Sequence, residues 1–482
     1  MVKSLLHPSQ HKQLFLDDHA VHSTSGVRRH LHPADKQGAV LRPDRSRGQK
    51  QTTTRSVPQW NSDKQLWEWW YNARYFTPEL PVGMTCNYAT STDLLDWEAP
   101  SLGLFEFNGS RDNSIAGDPT QRRLYHIVRD ERDPDPARRY KGLFDTRDRW
   151  LGVSPDGFDW TMLDVSPIPS QDESHFLYDE YTEQYLAFVK QPTEWGRSVY
   201  LSTSTDFERF SFPKLVFNTD ETDNRNRLER IQRAIDDPRY LAPPVVAGPG
   251  YSVAQCYQMA VLPYEGIYVG FPVLYNPAGP TGLGNDTGLN QVELTVSRDL
   301  YTWERVADRE VFIGIDPWDV AGHGSAQNLV SGRPIVRDDE IWVFYNAVRI
   351  RDHKELYWEQ DRYGFIDTEL FKDVGALHLA KLRLDGFVSL DADGEGVVVT
   401  EPFVWDGQTL RVNVDARGEL RAELVQADTM APLSGYTASE SAPVTGDHLS
   451  APVAWRGGSH GEQRVRARFI LRDCKLYAFW LE

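Results

Sequence analysis

The sequence predicts an all-β protein, a five-bladed β-propeller followed by a C-terminal β-sandwich, and three observations predict it. A Ser-x-Asp-x-x-x-aromatic motif recurs four times. Each copy closes a set of short strand-like runs. Aromatic residues, 15 Trp, 21 Tyr and 21 Phe among 482 residues, reach 12%, an excess that suits sheet packing and equally suits stacking on sugar rings.

The motif copies are Ser91-Thr-Asp93-Leu-Leu-Asp-Trp97, Ser154-Pro-Asp156-Gly-Phe-Asp-Trp160, Ser204-Thr-Asp206-Phe-Glu-Arg-Phe210 and Ser297-Arg-Asp299-Leu-Tyr-Thr-Trp303. Ser and Asp side chains bond readily to nearby backbone N–H groups, so each copy reads as a hairpin corner whose exit is anchored by the aromatic ring. Upstream of each corner lie two further strand-like runs: 56–60 and 66–72, 125–130 and 140–145, 176–179 and 185–190, 259–263 and 267–275. A fifth set runs through 334–337, 341–348 and 375–384 and ends at the degenerate corner Asp385-Gly-Phe387. Four strands per unit and five units cannot each bury two faces alone, and radial stacking is the economical way to cover them.

The repeat assigns residues 55–393 to the propeller, 1–54 to an N-terminal arm packed on it, and 394–482 to the sandwich, whose strands read as 410–414, 419–424 and 466–472. Within the insert 220–244, Leu228, Ile231 and Ile235 fall at helical spacing and predict one short surface helix over 226–235. In the arm, Gln13-Leu-Phe-Leu-Asp-Asp-His19 sets Leu14, Leu16 and Asp18 on one face of an extended segment and Phe15 and Asp17 on the other. One of the two acids must point inward, where a charge needs a partner or a task.

A net charge of −18 without a long basic run excludes nucleic acid and anionic membranes as partners. Cys86, Cys256 and Cys474 are far apart and odd in number, so they read as buried free thiols and not as a disulfide framework or a zinc site. The N-terminal Met-Val-Lys-Ser-Leu-Leu-His-Pro lacks the apolar core of a secretory signal, and no run of 18 apolar residues occurs. The expectation is a cytoplasmic protein, or a secreted one whose leader has been removed. No oxygen-ligand loop, clustered His/Cys set or phosphate-binding glycine motif calls for a metal or cofactor.

In a propeller, residues just before each unit's first strand and those between its second and third strands converge on one mouth. This rule selects Arg111-Asp112-Asn113 before the second unit, Asp172 and Glu173 before the third, and Trp318, Asp319 and His323 before the fifth. The second-to-third loops add Arg74, Asp145, Arg147, Trp195, Arg197, Asn276, Asp286, Arg351 and His353. Asp130, Asp179, Asp338 and Asp339, in first-to-second turns, read as solvated residues of the opposite mouth. Glycosidic cleavage needs a carboxylic acid to protonate the leaving oxygen and a second carboxylate as nucleophile or base, and this pit supplies those types. Against that, a single loop carboxylate is more often a cap or an arginine partner than a catalyst, and His323 and His353 are more often hydrogen-bonded polar residues than ligands.

The opening Leu-Phe-Leu-Asp-Asp18, Arg29-His-Leu-His-Pro33, Val40-Leu-Arg-Pro43, Ser154-Pro-Asp-Gly, Ser297-Arg-Asp-Leu-Tyr-Thr-Trp-Glu-Arg305 and the tail Leu476-Tyr-Ala-Phe resemble, end to end, the proteins described as glycosyl hydrolase family 32-like. These are similar to the five-bladed fructosidases and arabinanases. The resemblance implies an Asp from the first blade, an Asp from the second and a Glu from the third as catalysts, and at most a calcium ion on the axis as cofactor. It puts the third-blade acid on Glu173, with Asp172 beside it, and the second-blade Asp on Asp112; together with the mouth rule this gives Glu173 as general acid and Asp172, Asp112 or Asp319 as base or nucleophile. Arg74, Asn113, Trp195, Arg197, Trp318, His323, Arg351 and His353 are left to hold the sugar. For the first blade the match fails, because Gln51-Thr-Thr-Thr-Arg-Ser56 contains no acid and Asn-Asp-Pro-Asn-Gly is absent. Asp18 or Asp17 fills that gap if the arm crosses the funnel; if the arm seals an outer edge, both are structural, with Arg28 or Arg29 as partners. The implied activity is a glycosidase acting on a furanoside or an anionic sugar. A phosphorylase and a sugar-binding propeller without catalysis are the alternatives.

Overall fold

The computed structural model describes residues 5–75, 83–240, 253–278, 288–317, 322–350, 373–457 and 462–482. Among them the protein is all-β apart from one α-helix and three short 3-10 turns.

Five antiparallel units follow one another. Unit one pairs Gln51–Thr53 and Gln59–Asn61 with Leu66–Arg74, which pairs with Met84–Ser91. Unit two is Leu124–Arg129, Tyr140–Phe144 and Arg147–Ser154, with Thr161–Met162 and Ile168–Gln171 outermost. Unit three is Ser174–Asp179, Gln184–Thr193, Gly196–Ser204 and Lys214–Phe217. Unit four is Gln255–Tyr264, Ile267–Asn276, then Leu289–Val292 with Thr295–Ser297, then Glu304–Arg305. Unit five is Gln327–Val330 with Ile335–Arg337, Glu340–Val348, Gly375–Arg383, and an outermost strand taken from the N-terminal arm, Asp35–Leu41. Single parallel bridges, Asn290 to Gln327 and Gly375 to Gln51, join units four to five and five to one.

Units abut through apolar clusters. Trp70, Tyr88, Ile127 and Tyr140 pack between units one and two, Leu143, Leu151, Phe176 and Val189 between two and three, and Leu186, Leu201, Val261 and Tyr268 between three and four. Val269, Phe271, Tyr345 and Ala380 pack between four and five, and Trp69, Tyr71, Phe344 and Leu377 between five and one. A second strand such as Ile267–Asn276 is buried at every position because it has a neighbour on each face.

The four corners share the Ser and Asp bonds to the backbone, and the three that end in Trp add an indole bond. In the first, Ser91 Oγ accepts from Leu94 N at 2.8 Å, Asp93 Oδ1 accepts from Leu95 and Asp96 N at 2.9 and 3.0 Å, and Trp97 Nε1 donates to Leu94 O. The fourth residue takes a positive φ in every copy: Leu94 73°, Gly157 84°, Phe207 60° and Leu300 72°.

The turn acids Asp130 and Asp179 are buried, which corrects their reading as solvated residues. Each accepts a tyrosine hydroxyl from the following unit. Tyr185 donates to Asp130, Tyr268 donates to Asp179 at 2.8 Å, and Tyr140 of unit two donates to buried Glu68 of unit one at 2.6 Å. The sequence-based reading missed this because the acids lie in turns, where exposure is the default, and their partners lie in another unit. Asp338 and Asp339 remain exposed.

The helix, Glu221–Asp236, is longer than the spacing predicts because Asp220 and Asp223 form a capping box at its start. Its register also differs: Ile231 is buried, but Leu228 and Ile235 are exposed. Buried ion pairs dock the helix instead, Arg230 to Glu293 at 2.6 Å and Asp223 to Arg309 at 2.8 Å.

The C-terminal strands Val388–Thr400, Gln463–Leu481, Leu410–Gln426 and Val444–Pro452 form one sheet of eight, joined by Phe403–Trp405 and, from the arm, Gln13–Leu14, Val21–Ser25 and Arg28–Leu31. Three long strands bend together, with register shifts at Ala392/Glu395 and Ala416/Glu419 opposite Arg472 to Cys474. At the bend a Cβ on Gly418 would lie 2.2 Å from Arg472 O, so only glycine fits. The arm thus seals outer edges. Leu14 and Leu16 enter the cluster between units four and five, Phe15 enters the C-terminal core, and Asp17 is the acid that turns inward.

Candidate active site

Residues from all five units line one polar pit. Gln51, Thr53, Arg55 and Arg74 come from unit one, Arg123, Tyr125 and Thr146 from unit two, Asp172 and Glu173 from the entry to unit three, Tyr257 from unit four, and Gln327 and Asn346 from unit five. The rule that selected Glu173, position at the start of an innermost strand, also gives Arg55, Tyr125 and Tyr257. Arg55 is not singled out by the sequence, because the residue that gives it a role, Glu173, lies 118 residues away.

Glu173 is buried, and its two oxygens accept from Nε and Nη2 of Arg55, the second at 2.6 Å. Arg55 is itself fixed by Nη1 bonds to Thr53 Oγ1 at 2.9 Å and Thr54 O at 2.8 Å. Burial works against the Arg55 charge, but Glu173 raises the guanidinium pKa further still. The position where the resemblance implies a first-blade acid therefore carries a cation that grips the third-unit acid.

Asp172 has φ of 52° and is half-exposed, with Lys190 Nζ 2.7 Å from Oδ2. Burial raises the Asp172 pKa, yet the Lys190 ammonium outweighs it and holds the carboxyl below its ordinary range. Lys190 lies 4.0 Å from the centroid of the Tyr257 ring. Arg149, fully buried, donates to the backbone oxygens of Asp145 and Asp172 and fixes the loop that presents the acids. His126 stands behind the pit between Arg55 O, 2.6 Å, and Ser174 Oγ, 2.7 Å, and burial pushes its pKa well down, so it is a neutral spacer. Burial and the Glu173 charge push Tyr125 up to about 12. Among the described lining residues the charged groups are three arginines, Arg55, Arg74 and Arg123, and the two carboxylates of Asp172 and Glu173.

Of the other sequence candidates, Arg197 approaches the rim, its guanidinium 5.8 Å from the Tyr257 ring centroid. Asp112 does not reach the pit. It is exposed, 3.6 Å from Arg47, because the long 98–123 connection carries it away from the first strand of unit two. Asn113 is not among the residues that line the pit; its amide donates to Phe105 O and Ser110 O and its oxygen accepts from Ile115 N. Trp195 sits in the hairpin turn of unit three, outside the pit lining. His323 is buried away from the pit, between His378 at 2.9 Å and Asp373 at 2.8 Å. Asp18 is exposed and paired with Arg29, while Asp17 takes a bidentate grip from Arg298 of the fourth corner, at 2.9 and 3.1 Å. Neither lines the pit, since the arm strands on either side of them pair with strands of the C-terminal sheet. Trp318, Asp319, Asp286, Arg351 and His353 lie outside the described residues.

Among the described residues no group of three His, Cys, Asp or Glu is gathered to hold a metal, and no helix is long and apolar enough to cross a membrane. Cys86, Cys256 and Cys474 are buried free thiols.

No family model matches the chain. No curated protein matches it either. Solved structures to which it is similar include an N-acetylgalactosamine deacetylase from F. plautii in complex with blood group B trisaccharide, 12% identical with a TM-score of 0.41, covering 75% of this chain and 97% of that one. A beta-fructofuranosidase from Schwanniomyces occidentalis complexed with fructosyl-erythritol is 10% identical with a TM-score of 0.38, covering 99% and 100%. An exo-beta-1,3-galactanase from Phanerochaete chrysosporium with galactose is 8% identical with a TM-score of 0.37, covering 94% and 100%.

Proposed function

We propose that the five units close radially into a five-bladed propeller capped by residues 1–54 and followed by a sandwich from 394, and that its axial pit hydrolyses a glycosidic bond of an anionic sugar. The observation that carries the reading is the meeting of side chains from all five units around Asp172 and Glu173. The cyclic order of the apolar clusters, one-two through five-one, supports the closure.

Cleavage needs one carboxyl to give a proton and one to stay charged. Lys190 keeps Asp172 charged, which suits a nucleophile or base. Glu173 is assigned the role of proton donor: both of its oxygens accept from the Arg55 guanidinium, so a substrate anion must first take over that fork, and the released carboxylate must take up a proton from solvent before passing it to the leaving oxygen. Arg74 and Arg123 then hold the substrate anion. Inorganic phosphate in place of water would make the same pit a phosphorylase.

One observation favours a second reading, sugar binding without catalysis: Arg55 stands where a facing acid would be needed and neutralises Glu173. A panel of aryl glycosides and aryl uronides, assayed with and without phosphate, separates the readings. Turnover is expected, with Glu173→Gln lowering kcat by about 10²-fold or more while sugar still raises the Tm. Absence of turnover together with a sugar-dependent rise in Tm would establish the binding reading, and wild-type rates in Glu173→Gln would remove the acid from its role.

A further inference from the structure

The pit shares part of its lining with a second cavity. Met84, Arg123 and Thr146, which line the pit on the side of units one and two, also line this cavity of about 820 Å³ between those units. The pit itself measures about 170 Å³. The second cavity is walled by Phe105, Phe158, Trp160 and Met162, with Arg122 and Asp118 among them. Met162 and Arg122 are exposed, and the three aromatic rings are half-buried, so each offers part of a face or edge to the groove. Arg122 is pinned to the wall, its guanidinium 4.0 Å from the Trp150 ring centroid and its Nη1 2.5 Å from Asp145 Oδ2.

We infer that pit and groove form one cleft for a saccharide chain of three or more sugars, with the reacting end in the pit and the following sugars between units one and two. This deepens the reading of the pit and rests on it. A pit of this size takes a single ring, and the groove that opens from its wall is several times larger. The lining matches the chemistry of a sugar chain and not that of a lipid or a peptide side chain. Sugar rings present C–H faces bordered by hydroxyls, and aromatic faces alternating with guanidinium and carboxylate groups recognise that pattern. Arg123 stands at the junction, where its forked N–H donors reach the linkage between the first and second sugars or an acid group on either.

Calorimetric titration with size-graded oligomers, one to five units long, of galacturonate, mannuronate and guluronate tests the cleft. Wild-type protein is compared with Phe105→Ala and Arg122→Ala, two residues on different parts of the wall, and with Phe212→Ala, an exposed residue of unit three outside the groove lining; melting curves check that each variant folds. For at least one series the affinity is expected to rise tenfold or more between one and three units, to lose that rise in Phe105→Ala and Arg122→Ala, and to keep it in Phe212→Ala. Binding that is independent of length would overturn the groove while leaving the pit reading intact, because single sugars would still bind. A rise that survives both wall substitutions places the chain elsewhere and also overturns it. No binding by any series at any length would overturn the groove and the pit reading together.

Discussion

Leu94, Phe207 and Leu300 hold positive φ at a corner position where only Gly157 would be unstrained. All three side chains are buried in the clusters between units, and burial repays the backbone cost. Replacing Leu300 by Gly relieves about 1 kcal/mol of strain and forfeits the transfer and cavity terms of a core leucine, about 2–5 kcal/mol. The expected outcome is a net loss of roughly 2 kcal/mol in urea unfolding, and a gain would show that the corner is limited by strain. The corner motif itself was legible in the sequence, since Ser and Asp bond backbone groups within three residues. Arg55 was not, because its significance lies in Glu173, 118 residues away. The same holds for Asp17, whose partner Arg298 is 281 residues distant.

Between elements, the recurring tie is a tyrosine from one unit donating to a buried acid of the unit before it. The donor matters because these carboxylates have left water. Glu68 sits below its ordinary range despite burial, through bonds from Lys64, Tyr140, Tyr88 and Asn61. Asp179 accepts from Tyr268 and from Thr182. Tyr268→Phe removes one charge-assisted bond and nothing else from the packing, so a cost of about 1.5–3 kcal/mol is expected from the urea midpoint. Exposed Tyr301→Phe is expected to change stability by less than about 0.5 kcal/mol; equal effects would deny the tie its role. The strands and their order were visible in the apolar runs. The helix docking was not, because ion pairs rather than an apolar stripe fix its buried face.

At the scale of the molecule, several histidines are buried as neutral rings. Burial pushes His175 and His378 down to about 3 and His126 well down. Unfolded, each takes a proton near 6.5, so between that pH and about 3 the unfolded chain binds more protons. Their contribution is complete above pH 6.5 and is lost as pH falls, at roughly 1.4 kcal/mol per pH unit for each ring. Glu68 and Asp130, held below their ordinary range, extend the loss at lower pH. Urea unfolding at pH 7 and pH 4.5 is expected to show a marked fall in stability, and an unchanged midpoint would mean that these rings reach solvent.

The sequence by itself determined what is local: the corner chemistry, the four-strand repeat, the apolar second strands and the alternating faces of the N-terminal arm. Each of these is set by interactions within about ten residues, and a linear reading samples that range. Only the tertiary structure decided which acids are buried, which edge the arm seals, and that an arginine, not a carboxylate, faces Glu173. Those outcomes depend on which units abut, and abutment is fixed by packing between segments far apart in the chain, where burial turns an ordinary turn acid or loop arginine into a committed partner.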